Sequence, residues 1–546
     1  MPAAQARSIH VNDSQPIFSR IPIEILSMIA SLIPPDFRGR GAPGIALSHA
    51  CTRWRQIALS CRDLWTEIPL QHPEWTQLCL DRSRPTLISI AVNGEYIERG
   101  SPYFQATTLA LSEMLRVRNL DISTYGDEDA RLILPLISES PAPHLEELYL
   151  TFYDVDDHVD IPLNIFSGDA PSKLRILSLF ACNIPFDSPL LLSGTLTTIE
   201  LSSCDIWDTV DEMVETLSHF HNVESFLLDS CTILEDMTPS SMHTPRSVKW
   251  PQLRYFTVGS TFPETMTLFH YLDLPPNIAT LSLYGEPSDN GMPEGIGDII
   301  ISSLAQHFAP LSNAGLSCDL LRLRLFRDHF SVDGNWSRED AAKGDTSPYG
   351  HKTTSFIIPR WAWSWGSEGT RKSREVLMGI FDLLPFITRT KALYLSSDVN
   401  FLKSPEEWRM LSHFSLAETV EISGCTAFTL VSWLHASSHN LHFLFPSLHI
   451  LRLDDVDLQQ AADTDVPSVF NCMLTALGSS PSSKCVERVE IRRSDVSEAN
   501  IAILQGLLGE DGVLWDGKTE GAGGSLRVMR KHRIAKREAA SRGIAT

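Results

Sequence analysis

Leu174-Arg-Ile-Leu177-Ser-Leu179-Phe-Ala-Cys182-Asn-Ile184, Leu196-Thr-Thr-Ile199-Glu-Leu201-Ser-Ser-Cys204-Asp-Ile206 and Val223-Glu-Ser-Phe226-Leu-Leu228-Asp-Ser-Cys231-Thr-Ile233 are three versions of one phrase. All three fit the frame L-x-x-L-x-L-x-x-N/C-x-L at every position and follow one another in tandem, a signature of a stacked array. The alternation within Leu177-x-Leu179 and Ile199-x-Leu201 is that of a strand, one set of side chains inward and the intervening set outward. The Cys at 182, 204, 231 and 425 then falls at an inward corner, where a small, weakly polar side chain packs near buried backbone.

Partial copies start at Val117, Leu145, Leu253, Ile278, Leu320, Lys391, Val420, Leu448 and Val486, spaced about 22 to 30 residues over much of the chain, the period of leucine-rich repeats. Helical stretches fill the intervals, as at Val210 to Phe220 and Leu377 to Leu384. The expected fold class is α/β: an irregular leucine-rich-repeat solenoid over 116–508, with a parallel sheet on its concave face. Spacing doubles between Leu325 and Leu393, and the Gly-, Ser- and Trp-rich interval 328–374 is expected to be an inserted loop.

Ahead of the array, Ile21, Ile25, Ile29 and Leu32/Ile33 form the apolar stripe of a helix. Pro22 suits its first turn, Glu24 complements its positive end, and Pro34-Pro35 stops it. After a loop through Gly39, Gly41 and Gly44, a second helical pattern sets Leu47, Ala50/Cys51, Trp54 and Ile57/Ala58 on one side, before Leu64-Trp65 and Ile68.

Ile21-Pro-x-Glu24-Ile25-x(3)-Ile29-x-x-Leu32, Ala50-Cys51-x-Arg53-Trp54-Arg55-x-Ile57-Ala58 and Leu64-Trp65 together resemble the F-box, which docks on the Skp adaptor of cullin-based ubiquitin ligases. Ala50 stands where a Val usually precedes the Cys, and the first inter-helix loop is longer than the pattern. The resemblance implies that Ile21, Pro22, Ile25, Ile29, Cys51, Trp54, Leu64 and Trp65 form the adaptor-facing surface and its internal support, by helix-in-groove recognition. An all-α module over 20–68, followed by repeats, is similar to the F-box and leucine-rich-repeat proteins abundant in mushroom-forming fungi. The expected layout is a leader at 1–19, the module, a connecting segment and cap at 69–115, the repeats, and a basic tail at 509–546.

The 546 residues carry 67 acidic and 45 basic side chains, a net charge of −22, which disfavours phosphate-backbone binding over the whole surface. Ten Cys without C-x-x-C pairing suggest neither a disulfide scaffold nor a zinc ribbon. No apolar run has membrane-spanning length and the start lacks a signal-peptide core, so the expected location is cytoplasmic or nuclear, with no nucleic-acid or membrane partner.

Gly512 to Thr519 spells a phosphate-loop string but is followed at once by Gly521-Ala-Gly-Gly524, which does not continue a helix. His435, His439 and His442 have metal-compatible spacing without an accompanying Cys or carboxylate. No catalytic constellation emerges, and no cofactor is expected. The expected function is that of a non-catalytic substrate-recognition subunit, binding the Skp adaptor and, through it, a cullin. Exposed strand residues Ser178, Glu200, Ser202, Leu227, Asp229, Thr257 and Arg324 would hold a protein target, with Trp361, Trp363 and Trp365 of the insertion. A non-ligase interaction scaffold, or a small-ligand receptor near those tryptophans, is the alternative.

Overall fold

The computed structural model describes residues 21–31, 43–155, 158–232, 237–275, 278–286, 296–313, 318–325, 329–336, 352–359, 378–382, 388–397, 408, 410–437, 441–459, 468–478 and 486–517. The chain divides into two compact units, Met1–Ile206 and Trp207–Thr546, rather than at the expected step from cap to repeats. Both are mixed α/β with a largely parallel sheet.

The first unit begins with three short helices, α1 (Ile23–Ser31), α2 (Pro43–Ala50) and α3 (Thr52–Ser60), closed by a 3-10 turn, Arg62–Trp65. The expected second helix is two helices: Cys51 is fully extended (φ −163°, ψ 169°) between them. One extended residue redirects the chain without disturbing apolar spacing, which hides the break from periodicity. Gly44 lies inside α2 rather than in a loop; a Cβ there would press on the Trp65 ring at 2.8 Å, so the helix packs there only with glycine.

Strands β1 (Glu67–Ile68), β2 (Ile88–Asn93), β3 (Val117–Tyr125), β4 (Glu147–Tyr153), β5 (Ile176–Phe180) and β6 (Thr198–Ser202) pair in parallel and in chain order. The crossovers include α4 (Pro73–Ser83), α5 (Pro102–Leu111) and α6 (Asp127–Ser138). Sheet pairing therefore starts at Glu67, within what sequence assigned to the helical module and its connecting segment. Inward rows such as Leu120–Leu148–Leu177–Ile199 run in register and are completely buried, which fixes the register through the period-two alternation.

In the second unit, α7 (Val210–Leu217) opens with a capping box: Glu212 N–H donates to Thr209 Oγ1 and Thr209 N–H donates to the Glu212 carboxylate. Strands β7 (Ser225–Asp229), β8 (Tyr255–Thr261) and β9 (Thr280–Glu286) continue the parallel pattern, with α8 (Phe262–Tyr271) and α9 (Ile296–Asn313) between strands. The inserted interval is not a loop throughout. Within 328–374, β11 (His329–Trp336) and β12 (Lys352–Pro359) are strands; β11 is antiparallel to both β12 and β10 (Leu320–Leu325). The sheet order is β9-β12-β11-β10, then β13 (Ala392–Ser397), so the insertion is woven into the sheet rather than projecting from its edge. Thr353-Thr-Ser-Phe-Ile-Ile358 has the β-branched composition of a strand, masked in sequence by the Gly and charge around it.

Strands β14 (Thr419–Ser423), β15 (Ile450–Asp454), β16 (Arg488–Arg492) and β17 (Val513–Trp515) complete the ladder in parallel. Between them lie α10 (Cys425–Ser437), α11 (Val469–Gly478) and α12 (Glu498–Leu508). The sheet thus reaches Trp515, inside the segment expected to be tail.

Corners recur with one geometry. Ala181 (φ 57°), Ser203 (φ 50°) and Ser230 (φ 54°) adopt the left-handed region, and Cys182, Cys204 and Cys231 follow, buried. Their thiols donate to the carbonyls of Phe180, Ser202 and Asp229 two residues back. Ser494 repeats the arrangement after Arg493 (φ 48°), its hydroxyl donating to Arg492 O at 2.8 Å. Cys425 follows Gly424 (φ 55°) and begins α10.

Candidate functional site

Among the described side chains of α1, the buried one is Leu26, at 1% exposure; Ile23, Ile25, Met28 and Ile29 remain 41%, 45%, 63% and 45% exposed. The stripe that sequence periodicity marks, 21-25-29, therefore faces outward at Ile25 and Ile29, while Leu26 provides the anchor to the rest of the unit. Ile25, Met28 and Ile29, within about 100° of one another around the helix, are the kind of contiguous patch that marks an interaction surface, and Ile23 stands apart on the far side of Leu26. Pro22 is exposed and Ile21 half-buried beside them. The Arg53 guanidinium donates to the Ile21 carbonyl, which ties the start of α3 to the start of α1. Cys51 is exposed and Trp54 half-buried at that same end of α3. Met28, which sequence periodicity does not single out, enlarges the patch.

Leu64 and Trp65 do not belong to the surface; they are 3% and 1% exposed. Trp65 Nε1–H donates to Ala58 O at 2.6 Å, and the Arg82 guanidinium lies 4.3 Å from its ring centroid. Ile57 and Ala58 are completely buried on the same side. Of the two tryptophans assigned by resemblance, Trp65 is the core residue and Trp54 the one with exposed area. The cause is the 3-10 turn Arg62–Trp65, which swings both large side chains inward after α3.

Ser178, Glu200 and Ser202 lie on the outward face of the first unit's sheet, with Ser178 Oγ donating to Glu200 at 3.3 Å. The row of Ser178 and Glu200 continues through Tyr149 and Asp121, outward positions of the partial copies that start at Leu145 and Val117. Tyr149 is pushed up to about 12 by burial, then by the charges of Glu147 and Glu200. In the second unit, Leu227 pairs with Thr257, and Asp229 accepts from Tyr284 Oη at 2.7 Å across the strand of Gly259. Arg324 is already engaged, 3.3 Å from Asp333 of the inserted strand β11. Trp361, Trp363 and Trp365 lie outside the described residues.

The second unit also holds a groove of about 570 Å³ between Asp454, Glu490, Arg492, Arg493 and Trp515. Arg452 and Arg492 each reach Glu490 at 2.9 Å, Arg493 donates to both Asp454 oxygens and through its backbone N–H to Asp516, and Glu421 adds a further carboxylate to the lining. In the Gly512–Thr519 string, residues 513–515 form strand β17 where a phosphate loop would need free backbone amides. His435 is in α10 and His442 in the next short helix, Leu441–Leu444, while His439 lies outside the described residues. Among the described residues, no group of three His, Cys, Asp or Glu is arranged to hold a metal ion, and no helix is long and apolar enough to cross a membrane. No family model matches the sequence, and no curated protein matches it significantly.

Proposed function

We propose that this protein is the substrate-recognition subunit of an SCF-type ubiquitin ligase, its N-terminal helices acting as an F-box on the Skp adaptor and its strand faces holding a target as leucine-rich repeats. The exposed apolar face of α1 carries the proposal: Ile25, Met28 and Ile29 keep much of their area open to solvent, while Leu26 is turned into the first unit. Chain-order parallel pairing in the first unit and the recurrent Cys corners support the repeat assignment. The protein makes and breaks no bond itself in this scheme. Adaptor and cullin would hold it near a charged ubiquitin-conjugating enzyme, so that a target lysine gains effective concentration by positioning.

The test is co-purification of the full chain with a Skp adaptor, wild type against the double variant Ile25→Asp/Ile29→Asp. Capture by the wild type and its loss in the variant supports the proposal. Absence of capture by the wild type refutes it, and capture that survives the variant moves the docking surface elsewhere.

A further inference from the structure

We propose that the outward face of the first unit's sheet docks a basic, extended segment of the target, seating an arginine on the rings of Tyr125, Tyr153 and Phe180. This deepens, and rests on, the reading of the chain as a receptor for a protein target. Alternation along β3 and β4 turns Asp121, Ser123 and Tyr125, and Glu147, Tyr149, Thr151 and Tyr153, away from the core. Register sets Tyr125 opposite Tyr153, with ring centroids 5.1 Å apart and planes at 25°. Phe180 of β5 extends the group, 5.6 Å from Tyr153. Tyr125 and Tyr153 are 39% and 41% exposed, so a three-ring platform stands open at the C-terminal ends of neighbouring strands.

The charge around that platform selects its occupant. Asp121, Tyr149, Ser178 and Glu200 form one continuous register row, with Glu147 alongside. Apart from Arg118, exposed at the N-terminal end of β3, the outward positions of β2 to β6 contain no Lys or Arg; Arg131, on α6 just past Tyr125, lies 3.7 Å from the Asp127 carboxylate. Loss of solvation raises the Asp121 carboxyl above its ordinary range, and Glu95 and Asp154 add to the negative field at Tyr125. An arginine answers both features, because its guanidinium stacks on aromatic faces and pairs with carboxylates. Tyr149 and Tyr153 are four residues apart on β4, about 13 Å along the strand. A second cation four positions away in an extended peptide therefore reaches the row of Asp121, Glu147 and Glu200.

Fluorescence anisotropy on the full chain tests this with a labelled Gly/Ser/Thr nonapeptide bearing Arg at its third and seventh positions, against copies with Glu at both. The Arg peptide is expected to bind and the Glu peptide not. Tyr125→Ala/Tyr153→Ala weakens binding about fivefold or more, and Tyr153→Phe retains it. The near-isosteric pair Asp121→Asn/Glu200→Gln weakens binding and flattens its salt dependence, so the test stands even where the alanine pair misfolds. Equal binding of both peptides, no Arg binding up to about millimolar, or indifference to the carboxamide pair overturns the proposal. Adaptor capture, measured on the same preparations, separates the two claims. Capture without Arg binding sinks the docking proposal alone; Arg binding without capture sinks the ligase reading and leaves the docking site.

Discussion

Three substitutions on one helix separate a surface built for a partner from one built for the fold. Ile25→Asp/Ile29→Asp and, separately, Leu26→Ala act on α1, where exposure is 45%, 45% and 1% respectively. Full burial of such a side chain is worth ~2 kcal/mol, so covering the area still open on Ile25, Met28 and Ile29 supplies about 1 kcal/mol each. Together that is ~3 kcal/mol, about a hundredfold in affinity. The aspartate pair removes two-thirds of it and adds two carboxylates to a desolvated contact, so adaptor affinity falls by more than tenfold. Because both positions face water, folding stability moves by only about 0.5 kcal/mol. Leu26→Ala leaves the patch intact but costs about 2–5 kcal/mol of folding stability through the cavity it opens. Urea unfolding measures the stabilities and titration calorimetry with a Skp adaptor the affinities. An aspartate pair as destabilising as Leu26→Ala would place the face inside the fold, and undiminished affinity would empty it of function.

Gly259→Ala sets a Cβ inside the Tyr284 ring and displaces it from Asp229, costing about 1–3 kcal/mol in overpacking. Adding Tyr284→Ala should make the alanine at 259 nearly neutral; a strictly additive double-mutant cycle in urea unfolding contradicts that coupling. His307 is 2% exposed between Phe269 and Phe308, and burial lowers it from the ordinary range to about 3, with Arg246 lowering and Asp273 raising it by lesser amounts. Below the ordinary pKa of 6.5 the unfolded chain takes up a proton that the folded chain refuses, so stability declines as pH drops towards 3. His307→Leu should make that acid limb shallower by about 1.4 kcal/mol per pH unit, read from unfolding midpoints between about pH 4 and 6, and an unchanged limb refutes the assignment. Thr209→Ala removes the acceptor of the capping box and should cost about 1 kcal/mol, while Thr209→Ser restores most of it; equal losses in both variants argue that the methyl group, not the hydroxyl, matters.

The repeat phrase was legible because parallel strands buried on one face write their register as period-two alternation. Each copy from Val117 to Val486 yielded a strand, and Cys182, Cys204 and Cys231 are buried at the corners where the frame placed them, while Cys425 begins a helix. The strands without a leucine frame stayed hidden: Ile88–Asn93 was read as a connecting segment, Val513–Trp515 as tail, and the pair inside 328–374 as loop. Their backbone bonds are satisfied by neighbours far along the chain, which local composition does not record. The aromatic platform was also missed. Tyr125 and Tyr153 are 28 residues apart in sequence, and only the pairing of β3 with β4 stacks them.

By itself, the amino-acid order determined which residues alternate, where the corners turn, and that the N-terminal segment is helical, since these follow from spacing and backbone preference within a few residues. Tertiary structure alone decided which side of α1 is anchored and which stays bare, that Trp65 is core while Trp54 keeps exposed area, and that the inserted strands enter the sheet. Burial is a property of what packs against a residue, and a helix stripe or an extended stretch carries no mark of which neighbour will cover it.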